Sequence, residues 1–268
     1  MWRTEDGARW EAIPLELGDL KVKLWLDLDV TITAGPRGVL VVGNYNNGVY
    51  VWHSADGRSF GAMVRVPKPA NELPFRAEAS ATPNGFLLGM NDNSGTMLLS
   101  SEDGVHWQNI SAGLPKINGI DHVSGNASTL VLFTYYPQPD QPHGKPRAWH
   151  RRDGTWQPAT IDPGRLPDAG VVPADELRVN AVHNWGTGYI AVGNTFGGDG
   201  RETAGLVWYS ADGSAWTRMP VRDNGFDTAS ELNDVAVSQE KAVLVGYPSD
   251  SSAKLLTWQA KAPSLPNR

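Results

Sequence analysis

The 268-residue chain contains no cysteine, so it has no disulfide, no thiolate metal centre and no cysteine nucleophile. That absence leaves the compartment open, because a domain of this size builds a core without staples. Long apolar runs are missing as well. GVLVVG (38–43) and STLVLF (128–133) are strand-sized, well short of the ~20 residues of a membrane-spanning helix, so no membrane insertion is expected. There is no basic run, and the formal net charge is -6. Nucleic acid needs a clustered positive surface and is not an expected partner. No GxSxG, HExxH or GxxxxGK pattern occurs, and helical periodicity is absent throughout. NDNSG (91–95) offers oxygen ligands in short order but lacks the distal Glu of a calcium loop. No metal and no other cofactor is expected. MWRTEDGARW at the start has no charged-then-apolar leader, yet it opens inside a repeat. An extracytoplasmic location therefore depends on an export signal lying before it; otherwise a cytoplasmic one is expected.

What the chain does have is a repeated unit. WRTEDGARW (2–10), WHSADGRSF (52–60), LLSSEDGVHW (98–107), WHRRDGTW (149–156) and WYSADGSAW (208–216) share an Asp-Gly pair between aromatic positions. The aspartates Asp6, Asp56, Asp103, Asp153 and Asp212 fall at intervals of 50, 47, 50 and 59 residues, the size of a four-stranded propeller blade. Asp-Gly between alternating strands predicts a hairpin, since Gly takes positive φ without steric cost. The Asp carboxylate, and the Ser or Thr before it, accept protons from turn amides. Nine of the eleven tryptophans occupy equivalent positions: Trp2, Trp52, Trp149, Trp208 and Trp258 on a third strand, Trp10, Trp107, Trp156 and Trp216 on a fourth. Catalytic residues do not recur five times with their neighbours, so the motif is structural. Upstream of each tryptophan lies a short apolar strand: VLVVGN (39–44), FLLGMN (86–91), LVLFTY (130–135), YIAVGN (189–194) and AVLVGY (242–247).

SADGRSF, SEDGVHW and SADGSAW resemble the Asp box, or BNR repeat, of sialidase-like β-propellers, in a shortened form in which Gly follows Asp directly. The resemblance implies an all-β propeller whose Asp boxes turn between the third and fourth strands of each blade, away from the active site. The expectation is a single domain over 1–268, a five-bladed β-propeller of four-stranded antiparallel blades. The blades are placed at about 20–66, 75–112, 117–161 and 176–222, with a fifth at 231–260 plus 1–15. The N-terminal strand supplies the fourth strand that the C-terminal blade lacks. The resemblance does not extend to sialidase chemistry: PFRAE (74–78) has the Phe-Arg of that family's Phe/Tyr-Arg-Ile-Pro motif without the Ile-Pro, and a third mouth arginine is not evident.

In a propeller, ligands collect where the innermost strands begin. Aligning those starts brings together Asp27 and Asp29; Arg76 and Glu78; Asn118, Asp121 and His122; Arg178 and Asn180; and Glu231, Asn233 and Asp234. Carboxylates, arginines, amides and a histidine suit a sugar, a carboxylate or a cation. Two long insertions, TYYPQPDQPHGKPRAW (134–149) and GNTFGGDGRETAGLVW (193–208), add Tyr135, Tyr136 and Phe196 as stacking surfaces. The expected function is a monomeric binding module for a glycan or other small polar ligand at this mouth. One alternative is a glycoside hydrolase or lyase using the mouth carboxylates, with His122 and a tyrosine for elimination. The other is a scaffold for a protein partner.

Overall fold

The computed structural model describes residues 1–18, 20, 29–45, 48–67, 76–92, 95–117, 119–134, 146–163, 165–166, 170–171, 177–196, 202–219, 230–238, 241–248 and 255–261. They form two compact units, Met1–Ala127 and Ser128–Arg268. Every regular element among the described residues is a β-strand.

The first unit carries two four-stranded antiparallel meanders. One runs Asp29–Gly35, Gly38–Tyr45, Gly48–Ser54 and Val64–Arg65; the other runs Arg76–Thr82, Gly85–Asp92, Gly95–Ser101 and Gln108–Asn109. Strand Arg76–Thr82 lies against Asp29–Gly35 on one side and His122–Gly125 on the other. The core between the sheets is built from Leu40, Val42, Val51, Phe86, Leu88 and Leu99. In the second unit Leu177–Trp185, Gly188–Phe196, Glu202–Ser210 and Ala215–Arg218 form the same meander. Thr129–Thr134, Arg147–Arg152 and Thr155–Ile161 join it through a parallel pairing of Thr160 and Ile161 with Ala215 and Trp216. Ser230–Val237, Lys241–Pro248 and Leu256–Lys261 make a three-stranded sheet.

The repeated motif has one physical solution, used several times. In the Asp56 turn the carboxylate accepts the amide protons of Arg58 (2.8 Å) and Ser59 (3.2 Å), and Ser54 Oγ accepts that of Gly57 (2.9 Å). Asp103 does the same for Val105 and His106, and Asp6 for Ala8 and Arg9. At Asp212 the carboxylate takes the Ser214 amide (2.9 Å) and hydroxyl (2.7 Å). The glycine of each turn has positive φ, from 70 to 83°. The shorter HRRDGTW closes differently: Arg152 pairs with Thr155, leaving Asp153 (φ 51°) and Gly154 (φ 79°) as the two residues of the hairpin loop. Positive φ at both centres is the hairpin turn whose twist matches the strands.

The motif serine also sets the preceding hairpin. A Cβ on Gly38, Gly85 or Gly188 would sit 2.1, 2.1 and 2.4 Å from the carbonyl oxygen of Ser54, Ser101 and Ser210 respectively. The turn between the first two strands thus packs onto the third through glycine alone. The third-strand indoles tie down connecting segments: Trp52 Nε1 donates to the Glu16 carbonyl (2.7 Å) and Trp208 Nε1 to that of Asp162 (2.9 Å).

The N-terminal motif forms its own two-stranded hairpin, with Trp2 opposite Ala12 and Arg3 opposite Glu11. It stands as a separate sheet, where the sequence led us to expect the fourth strand of the last blade.

Candidate active site

Antiparallel order puts the start of each first strand at the end of its sheet opposite the Asp-Gly turn. In the first unit this end holds Asp29, Arg76, Glu78, Asp121 and His122. Asp29 opens its strand opposite Asn44 and is exposed. Arg76 opens the next strand opposite Asn91; its side chain lies outside the described residues. Glu78 is half-buried with its side chain 21% exposed, and its Oε1 stands 3.5 Å from Nδ1 of His122, 7% exposed. Asp121 precedes His122 and is half-buried. The structure therefore brings Glu78 and His122 into one carboxylate–imidazole pair, with the carboxylate the more open partner.

The backbone around the pair is held by an amide the sequence reading had not singled out. Asn91, the last letter of FLLGMN, donates through Nδ2 to the Ile120 carbonyl (2.8 Å) and accepts the Ile120 amide proton through Oδ1 (2.7 Å). Gly89 admits Ile120 because a Cβ there would lie 2.9 Å from its Cγ2. The Gly-x-Asn ending of the second strand, repeated as Gly-Asn in GN (43–44) and GN (193–194), was the available signal. It fixes the peptide two residues before His122.

In the second unit Arg178, Asn180, Glu231, Asn233 and Asp234 share the corresponding end of two adjacent strands, Leu177–Trp185 and Ser230–Val237. Both strands bulge there, between Val179 and Ala181 and between Leu232 and Asp234. The extra residues are Asn180 and Asn233, and bulges of this kind re-aim side chains. Opposite each bulge only glycine fits: a Cβ on Gly193 would be 1.8 Å from the Arg178 carbonyl oxygen, and on Gly246 1.9 Å from that of Glu231. Asn180 Nδ2 donates to the Leu232 carbonyl (2.6 Å), and buried Asn194 accepts the Leu232 amide proton (2.6 Å). Asn233 donates to Glu231 Oε1 (2.8 Å). Asp234 accepts the Val235 amide proton (2.7 Å) and faces His183 Nε2 at 3.7 Å. His183 was not anticipated; only its place on an alternating strand pointed to it. Arg178 is exposed. So Asn180 and Asn233 are committed to neighbouring groups, while Arg178 is open.

Asp27, Asn118, Tyr135 and Tyr136 lie outside the described residues, as does the side chain of Phe196.

No protein-family model matches the chain, and no curated protein matches it in sequence. Solved structures do match. The polysaccharide lyase Uly1 superposes with a TM-score of 0.54 at 10% identity, covering 87% of this chain and 57% of the lyase. A putative exo-beta-1,3-galactanase from Bifidobacterium bifidum s17 gives 0.50 at 10%, over 85% of this chain and 84% of the other. A GH43 endo-arabinanase from Bacillus licheniformis gives 0.42 at 12%, over 87% and 92%. At such identities the likeness is one of fold: this all-β chain shares the architecture of β-propellers.

Proposed function

We propose that the chain is a five-bladed, Asp-box β-propeller that cleaves glycosidic bonds, with Glu78 transferring the proton and His122 holding Glu78 in place. The observation that carries this reading is the 3.5 Å Glu78–His122 contact at the start of the inner strands. Glu78 is open enough to touch a sugar; His122, sealed behind it, is a positioning residue. Protonated, a carboxyl group so placed donates its proton to a leaving glycosidic oxygen in hydrolysis; ionised, it accepts a ring proton from the sugar in elimination. Asp29 and Asp121 are the candidates for the second carboxylate that hydrolysis needs, and Arg76 for a group that grips the substrate. The fold neighbours include a polysaccharide lyase and a putative galactanase, which favours an enzyme over a purely binding module. Such scaffolds host other functions too, so the pair of side chains, not the fold, carries the proposal.

The test is turnover of a panel of polysaccharides, read as new reducing ends and as the ultraviolet absorbance of unsaturated uronates. Glu78→Gln should lower kcat by roughly 10²–10⁴-fold with binding retained. His122→Gln should lower kcat less and alter the pH profile. Binding without turnover in the native chain would leave the binding-module reading in its place.

A further inference from the structure

The N-terminal hairpin differs from its repeats in one respect. Trp2 and Trp10 are 66% and 58% exposed, whereas their counterparts Trp208 and Trp216 are each 1% exposed. Indoles bury 150–250 Å² where they pack, so a repeat that leaves both in water departs from the structural role of the motif. Trp10 lines a cleft of about 400 Å³ on the first unit, within the range of small-molecule sites.

The charges around the cleft define what it takes. Three guanidinium groups, from Arg3, Arg9 and Arg58, meet three carboxylates, from Glu5, Asp6 and Glu11. Glu5 binds both Arg3 (2.8 Å) and Arg58. Asp6 is spent on its own turn, accepting the Ala8 and Arg9 amide protons at 2.8 Å each. Arg9 and Glu11 remain, one of each sign, on either side of Trp10 in the chain. A ligand carrying net charge finds no excess of the opposite sign here. An apolar ligand finds a polar wall. A pyranose or furanose ring presents an apolar C–H face to an indole and hydroxyls that both guanidinium and carboxylate groups bind. We infer that this cleft is a second glycan-binding site, specific for an uncharged sugar residue stacked on Trp10, with Arg9 and Glu11 bonding its hydroxyls.

The site is independent of the reaction proposed above, since none of its residues lies on the inner strands. A role in holding a polymer while another segment is processed rests on the reaction proposed above; the binding itself does not.

Affinity electrophoresis of the full chain tests it, in native gels containing galactan, arabinan or xylan as neutral probes and polygalacturonate as the acidic one. At least one neutral polymer should retard the chain, and Trp10→Ala should leave any retardation by polygalacturonate unchanged. Trp10→Ala should abolish the retardation by the neutral polymer and Arg9→Ala weaken it several-fold, while Glu78→Gln runs as the native chain does. Trp10→Ala should leave any turnover of short soluble substrates unchanged. Neutral-polymer retardation that survives Trp10→Ala, or that is lost in Glu78→Gln instead, overturns the inference, as does a native chain that no neutral polymer retards. Because Trp10 is exposed, loss of folding does not confuse the result, and a failure of catalysis alone leaves this outcome readable.

Discussion

Asn91 closes both hydrogen bonds of one residue, Ile120, accepting its amide proton at 2.7 Å and donating to its carbonyl at 2.8 Å. A side-chain amide has the donor–acceptor geometry of a peptide, so Asn91 acts as one more rung of a β-ladder where no strand is available. Asn194 stands at the same place in its own repeat but accepts only the Leu232 amide proton; the carbonyl is taken by Asn180. Replacing Asn91 with Ala leaves a partly buried N–H and C=O without partners, which costs about 1–3 kcal/mol for each group that water does not reach. Asn91→Ala should therefore lower stability in urea titration by about 2–4 kcal/mol. Asn91→Asp should recover part of this, since a carboxylate accepts the proton but cannot donate. If Asn91→Ala unfolds at the native urea midpoint, the peptide of Ile120 is held by something else.

Two glycines of the same motif should respond unequally to alanine. Gly154 has φ 79°, and a Cβ there meets nothing within 4 Å, so Gly154→Ala bears only the left-handed backbone cost of about 1–2 kcal/mol. Gly213 has φ 83°, and its Cβ would lie 2.3 Å from Val131 Cγ1. Gly213→Ala should be the more destabilising by at least about 1 kcal/mol, from forced displacement in a packed core. Thermal denaturation of the two variants decides this, and equal midpoints would contradict the geometry.

Trp208 is fully buried and donates to the Asp162 carbonyl at 2.9 Å. Trp208→Phe keeps a ring in the core but leaves that carbonyl unbonded and a void beside it, at a cost of about 2–4 kcal/mol. Trp10→Phe, at an exposed position, should change stability by less than about 0.5 kcal/mol. The comparison separates the structural indoles of the repeat from the one assigned to a ligand.

How much of this was legible in the sequence depended on whether a feature repeats. The Asp-Gly turns recur, their chemistry is local, and each was readable from four or five residues. The candidate residues Glu78 and His122 are 44 positions apart in sequence and meet only because adjacent inner strands run side by side, so their contact needed the structure. The alternating pattern puts Asn180 and Asn233 among the candidate mouth residues, and bulges turn Asn180 onto the Leu232 carbonyl and Asn233 onto Glu231. A bulge shifts register by one residue, and an alternating pattern does not reveal where that happens. Arg3, Arg9 and Arg58 carried no pattern at all; their convergence on Trp10 follows from the N-terminal hairpin packing beside the second turn.

Asp103 offers a test by pH. His106 Nδ1 lies 2.7 Å from its Oδ2, and its Oδ1 accepts the amide protons of His106 and Val105, with the Ser101 hydroxyl adding a third donor. The His106 side chain first, then these turn groups, hold the carboxyl well below its ordinary value of 3.8. A carboxylate depressed on folding contributes stability that is complete above the unfolded value and is lost as pH falls through the folded one. The loss from this group therefore begins below about pH 4 and continues towards strongly acid solution. Asp56 and Asp212 are lowered in the same direction by their turn donors, so acid should weaken the turns together. Asp103→Asn removes one titrating group while keeping an acceptor in the turn. Its urea midpoint should lie below that of the native chain at neutral pH, and the difference should shrink as pH drops from about 4 to 2. Curves that stay parallel across that window would mean that Asp103 binds its proton equally in the folded and unfolded chain, and the turn would then owe its stability to the backbone alone.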